Sequence, residues 1–214
     1  LATGENAALN QALATLDPST IANGFYTLRL SVADMGGRRG EATAFVEVNT
    51  ATKTDLYQRS ETDFTATLAG HALDFVRVYD STLANVAGSF GFGWHLALRD
   101  VDLQTDAPLT GREDAGVFGG FADGQRVYLT LPDGRRAGFT FAPVQHDIAG
   151  LRYYTPAFVA DPGVTWKLEA ADIKLVKAGS HYFDLLTSHP YNPAALQDVL
   201  AQYTLTAPDG TRYG

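Results

Sequence analysis

The chain has 214 residues, of which 45% are hydrophobic, 11% aromatic and 19% charged, with no cysteine and a net charge of −8. That length supports one large or two small packed domains, and so apolar a composition excludes a disordered chain. The acidic balance argues against nucleic acid and anionic membranes, which need clustered Lys and Arg, and the absence of cysteine excludes disulfides and thiolate metal sites.

Leu9, Leu13 and Leu16 fit either a weak helix or a loop over residues 1–16. The start shows no charged-then-apolar leader pattern, and the chain reads as a fragment of a longer polypeptide. Leu28, Leu30 and Val32 alternate as one strand, Asp34-Met-Gly-Gly supplies a turn, and Ala42–Val48 returns. Gly24-Phe-Tyr26 resembles the tyrosine corner of Ig-like sandwiches, whose phenol ties the start of a strand to upstream backbone. Two strands cannot close a sandwich, so either earlier strands precede them or the hairpin packs on residues further along the chain. Residues 1–49 are therefore read as the end of an Ig-like module and 50–60, polar and β-poor, as a linker.

Residues 61–214 are read as one antiparallel β-domain. Phe64, Ala66 and Leu68 alternate into a turn, and Leu73, Phe75, Arg77 and Tyr79 alternate out of it. In Ser89–Leu98 the residues Phe90, Phe92, Trp94, Leu96 and Leu98 share one parity, which predicts a strand with that face on a core. Gly91 and Gly93 would let another backbone approach the second face. Val101 and Leu103 continue on the opposite parity, which predicts a bulge near Arg99-Asp100. Residues 81–98 lack Asp, Glu, Lys and Arg, but their glycines and small polar residues exclude a membrane span.

Asp-Gly-x-Arg occurs three times, ending at Arg126, Arg136 and Arg212. Asp-Gly favours tight hairpin turns. Flanking alternation fits: Val127, Leu129 and Leu131 enter the second turn, and Phe139 and Phe141 leave it. Arg135-Arg136 reads as a solvated hairpin end. One short helix is predicted near 193–203, capped by Asn192, opened by Pro193 and striped by Leu196, Val199, Leu200 and Tyr203.

Chemistry-bearing patterns are sparse. Asp100, Asp102 and Asp106 could supply oxygens to Ca²⁺, but no EF-hand glycine or terminal Glu accompanies them. His71, His95, His146, His181 and His189 show no ligand spacing, so no metal or other cofactor is expected. Glu113/Asp114 and Glu169/Asp172 are paired acids in turn-like contexts, and nucleophile and phosphate-loop signatures are missing. Tyr153, Tyr154, Phe158 and Trp166, in a Pro-rich stretch, are candidate contacts for a carbohydrate or protein if exposed, and core residues otherwise.

The segments Phe75-Val-Arg-Val-Tyr-Asp-Ser81 and Ser89-Phe-Gly-Phe-Gly-Trp-His-Leu96 resemble the opening of the shell in RHS/YD-repeat proteins. That family pairs an Arg-x-Tyr-x-Ser strand with a Gly-x-Gly-Trp segment, here Arg77, Tyr79, Phe90, Gly91, Phe92, Gly93 and Trp94. The resemblance covers roughly residues 60–214, and the family's downstream Tyr-Asp-x-x-Gly repeats are not in this sequence. It implies an all-β fold with antiparallel sheets, an Ig-like hairpin plus the start of a larger β-shell. It also implies a non-catalytic structural role in a large bacterial protein, secreted or on the cell surface. Such a shell often encloses a C-terminal toxin for delivery, so the implied partner is the rest of the same polypeptide. Phe90, Phe92 and Trp94 would be packing residues. No catalytic residue is carried over. The alternative is an adhesin or glycan-binding module contacting a cell-surface glycan or protein, and a hydrolase with two carboxylates facing across a cleft is a third reading.

Overall fold

The computed structural model describes residues 3–4, 12–50, 52–54, 56–68, 71–97, 101–195 and 203–214. The described residues are all-β, built from antiparallel strands with short 3-10 turns. No helix among them is long and apolar enough to cross a membrane.

Strands β1 (Gly24–Ala33) and β2 (Arg39–Val48) form a hairpin in register from Gly24↔Val48 to Ala33↔Arg39. Tyr26 donates its hydroxyl to the Ala22 carbonyl at 2.8 Å, the strand-start tie expected of a tyrosine corner. Pairing places Tyr26, Leu28, Leu30, Val32, Ala42, Ala44 and Val46 on one face, which carries no charge. Leu30 and Val32, towards the tip, are exposed. The base is covered, because Ala22, Gly24 and Val48 are buried.

Strands β3 (Gln58–Leu68) and β4 (His71–Asp80) make the second hairpin, with a bulge between Thr62 and Phe64. β3 begins inside the stretch read as a linker. The segment after it is not the single strand that alternation predicts. It divides into β5 (Ala87–Gly88), β6 (Gly91–Phe92) and β7 (Trp94–Leu96), and only β7 joins β4. Gly91 and Gly93 take φ of 105° and 74°, so the chain turns at both and the parity is broken. Phe90 and Phe92 are consequently 47% and 66% exposed, while His95, from the opposite parity, is buried. The expected bulge near Arg99-Asp100 lies outside the described residues.

The core lies in the second half. β8 (Gln104–Thr105), β9 (Arg126–Thr130), β10 (Arg136–Phe141) and β13 (Phe158–Ala160) form one sheet in the order β13-β10-β9-β8. β11 (Val144–Ile148), β12 (Leu151–Thr155), β15 (Leu175–Ala178) and β16 (His181–Asp184) form a second. β14 (Lys167–Ala170), β17 (Tyr203–Thr206) and β18 (Arg212–Tyr213) form a third. Alternate residues of β9 and β10 (Val127 and Leu129, Ala137, Phe139 and Phe141) meet Phe121, Trp166, Leu168, Leu175, Tyr182 and Leu205 in one cluster.

The second and third Asp-Gly copies close the β9–β10 and β17–β18 hairpins by matching bonds, Leu131 N to Arg135 O and Ala207 N to Thr211 O, both 2.8 Å. Gly134 takes φ 85°, and a Cβ there would fall 2.4 Å from Val78 Cγ1. The turn tip thus packs directly on β4. At the start of the predicted helix Asn192 Oδ1 accepts from Ala194 N at 2.8 Å, but residues 193–195 form a turn and no helix. Residues 196–202 lie outside the described residues, and Tyr203 opens β17 rather than ending a helix.

Burial raises the pKa of several phenols. Tyr182 is pushed up to about 12, first by desolvation and then by its 2.6 Å bond to Asp123. Tyr26, Tyr128 and Tyr191 are raised chiefly by desolvation. A raised folded pKa stabilises the fold fully below the unfolded value near 10 and loses that contribution as pH climbs through the folded value. Absorbance titration should therefore show several of the ten tyrosines still protonated past pH ~10, with stability falling between about 10 and 12. Ten phenols titrating together near pH ~10 in the folded state would contradict this packing.

Candidate functional site

β4 alternates Arg77 and Tyr79 to one face and Val78 and Asp80 to the other. Pairing with β7 sets Tyr79 opposite Trp94 and Val78 opposite His95. The Arg77 guanidinium lies 5.2 Å from the Trp94 ring and 5.6 Å from the Phe90 ring, and its Nε donates to Asp63 at 2.7 Å. Cation–π attraction and the ion pair hold this arginine from three sides. Tyr79 packs on Trp94 at 5.4 Å and Tyr57 at 6.0 Å. A Cβ on Gly93 would sit 2.7 Å from the Tyr79 ring, so only glycine lets β7 approach β4 this closely.

Asp80 ends the strand. Its carboxylate accepts from Thr82 N at 2.7 Å and Gln58 Nε2 at 3.0 Å, and its backbone N–H donates to Gly93 O. The two signature segments therefore meet. Arg77, Tyr79, Gly93 and Trp94 form one unit, with Phe90 as its outer wall, while Gly91 and Phe92 make up β6, paired with β5. Phe90 and Phe92 are not core residues, because the glycine turns carry them to the surface.

Beside this unit opens a cleft of about 410 Å³, lined by Gly88, Ser89, Trp94, His95, Asp102 and Thr130 among others. Asp102, the carboxylate among the described residues lining it, pairs with Arg136 at 3.0 Å. Arg136 is not a solvated hairpin end. Its side chain is 6% exposed and donates to Asn23 O and Thr130 Oγ1, each at 3.0 Å. Burial lowers its pKa, opposed by Asp102. Arg135 is the exposed member of the doublet and pairs with Asp133.

Arg126, from the first Asp-Gly-x-Arg copy, has a similar fate. It makes a two-pronged pair with Asp161 at 2.5 and 2.6 Å, and donates to Glu47 at 3.0 Å and Thr140 at 2.6 Å. Tyr128 donates to the same Glu47 oxygen at 2.7 Å, and Phe25 packs edge-on against Tyr128 at 5.3 Å. Gly138 leaves the space, since a Cβ there would fall 2.2 Å from Asp161 Oδ2. This cluster fastens the β1–β2 hairpin to β9–β10. Of the two alternatives for the hairpin, packing on residues further along the chain is realised at its base.

The predicted aromatic contacts do not form one platform. Trp166 is 6% exposed in the core, and Tyr154 and Phe158 pack against that core. Tyr153 points to the other face of its sheet, stacked on His146 at 4.9 Å. Adjacent residues of a strand face opposite sides, which separates Tyr153 from Tyr154. The paired acids are occupied locally: Glu113 accepts from Thr110 N, and Glu169 lies 3.6 Å from Arg212. Asp102 and Asp106 have separate partners, Arg136 and Arg126 N, and Asp100 lies outside the described residues. Burial raises the Asp106 pKa. Among the described residues no three His, Asp or Glu side chains gather as a metal ion requires.

No protein-family model, curated protein or solved structure matches this chain. Sequence reasoning missed Arg126, Asp161 and Glu47 at the junction and Tyr57 and Asp63 beside Arg77. The repeated Asp-Gly-x-Arg was the available signal for the first, because the same arginine follows each turn into its strand.

Proposed function

We propose that this chain is a non-catalytic structural segment of a large RHS/YD-type protein, secreted or on the cell surface, forming the first part of a β-shell that can enclose a C-terminal toxin. The observation that carries the reading is the meeting of the two signature segments, in which Arg77, Tyr79, Asp80, Gly93 and Trp94 are all engaged in joining β4 to β7. Chained antiparallel hairpins around a shared core suit the opening of such a shell. The uncharged face of β1–β2 suits the end of an Ig-like module whose other layer would cover it. Among the described residues, the cleft's carboxylate is Asp102, already paired to Arg136, so they lend a two-carboxylate hydrolase no support.

Peptide mass mapping of the native polypeptide from its source tests this. Tyr-Asp-x-x-Gly repeats following Gly214 and ending in an unrelated terminal domain are the expected result. A polypeptide that ends soon after Gly214, or continues into further Ig-like modules, overturns it.

A further inference from the structure

Strand β11 (Val144–Ile148) stands at the free edge of the β11-β12-β15-β16 sheet. The β11–β12 loop has two residues, Ala149 and Gly150, with φ of 51° and 86°, as a type I′ turn requires. Such a turn closes on a bond from the Leu151 N–H to the Ile148 carbonyl. Backbone bonds along an antiparallel strand point alternately to either side. Those of Val144, His146 and Ile148 therefore face β12, and those of Gln145 and Asp147 face outward. Among the described residues no backbone bond from another segment meets that edge.

Several other edges are blunted. β3 carries Arg59, Glu61, Asp63 and a bulge, β1 and β2 carry Arg29, Arg39 and Glu41, and β16 is bridged at Ala122 and Pro190. Charge, bulges and cover all discourage the addition of a further strand. β11 has only one such feature, the Asp147 carboxylate, which is held by Gln145 at 2.8 Å and Arg152 at 3.2 Å. Val144 and Ile148, at its two ends, are 49% and 61% exposed.

The residues of the strand point to its partner. Val-Gln-His-Asp-Ile is its own complement: about a two-fold axis at His146, Val144 falls opposite Ile148 of the second copy, and Gln145 opposite Asp147 of the second copy. The first pair is apolar on both sides, and the second sets an amide donor against a carboxylate. Gln145 and Asp147 are also the residues whose backbone faces outward, so they exchange both N–H···O bonds across the axis. The His146 imidazole is drawn aside, stacked on Tyr153 at 4.9 Å and bonded to Thr155 Oγ1 at 3.0 Å, both on β12. No like charges stand directly opposite, although each copy carries −8 overall.

We infer that two copies of this chain join edge to edge through β11, antiparallel about His146, so that two four-stranded sheets run on as one. Both copies use the same strand, so assembly closes at two. A contact this small belongs to the weak, transient class, and half-association is expected at about 0.1 mM. The inference does not depend on the shell reading.

Sedimentation of the 214-residue chain from about 10 μM to about 1 mM tests it. The expected result is a shift from one copy to two, with exchange of the Gln145 and Asp147 amides slowing as the copies pair. Val144→Lys combined with Ile148→Lys sets like charges directly opposite and should weaken association by about tenfold or more. Both side chains are exposed, so circular dichroism should stay unchanged. Mixing that variant with one carrying Val144→Glu and Ile148→Glu should restore pairing as a mixed dimer, because each lysine then meets a glutamate. Leu186→Lys, 90% exposed but off this edge, should leave association unaltered. A chain that stays single at about 1 mM overturns the inference. So does association that survives the two lysines, does not return on mixing, or grows beyond two copies.

Discussion

Replacing Phe141 by alanine should lower the unfolding free energy by about 4 kcal/mol. Phe141 is fully buried, with Phe121 and Phe158 at 5.6 Å and Tyr182 and Tyr191 at 5.4 Å. These neighbours come from β13, β16 and the segments before β9 and after β16, so the ring joins two sheets and two connecting loops. Truncation removes its transfer free energy and leaves a cavity that four other rings, each fixed by its own contacts, cannot close. Urea denaturation measures the change, and the thermal midpoint should fall by about 10 °C. A loss below about 1 kcal/mol would mean that these two sheets do not share this core.

Arg126→Leu should cost about 3 kcal/mol, because it strands Asp161 without its partner. The Arg126 and Asp161 side chains are only 15% and 11% exposed, so solvent screens the pair weakly. Asp161 would keep a single bond from Asn49, at 3.1 Å. Adding Asp161→Leu should recover part of the loss, since removing both charges avoids the stranded one. Glu47 also loses a partner but is 37% exposed, and its share should be small. Hydrogen exchange should show the β1–β2 amides opening more easily in Arg126→Leu, beginning with Phe25 N, which donates to Gln104 Oε1 at 3.2 Å. Unchanged exchange in the hairpin would mean that the Arg126 cluster does not fasten it.

Both outcomes arise from one arrangement. Core residues of β9 and β10 face the three-sheet cluster, and the alternate residues Arg126, Tyr128 and Arg136 face the hairpin. β9 is thus covered on both sides, which is why Tyr128 is as deeply buried as Val127. A two-stranded hairpin is marginal by itself. Its attachment here uses two arginines that follow Asp-Gly turns, each placed by the strand the turn begins or reverses into.

Local patterns by themselves determined the fold class and most hairpins. Alternation at Leu28–Val32, Phe64–Leu68 and Val127–Leu131 identifies strands because period two is set by the backbone pleat, whatever lies around it. Asp-Gly at 133–134 and 209–210 marks reversals because the turn geometry is local. The phenol tie of Tyr26 was legible for the same reason, since its acceptor is four residues away. Alternation misled at Phe90–Gly93, where glycines at 91 and 93 equally suit a strand and a change of direction, and at Gly93 close packing against Tyr79 goes with the turn.

Burial of charge and choice of face were decided only by the tertiary structure. Arg136 reads as part of a solvated hairpin end in sequence and nothing there marks Arg126 as buried, yet residues about eighty to one hundred and ten positions upstream supply Glu47 to Arg126 and the Asn23 carbonyl to Arg136. The same holds for the aromatics. Tyr153, Tyr154, Phe158 and Trp166 are close in sequence but divided between a surface and a core, while Tyr57, Tyr79 and Trp94 are distant in sequence and adjacent in space. A ring's exposure depends on which strands pair beside it, and that pairing is a property of the folded chain.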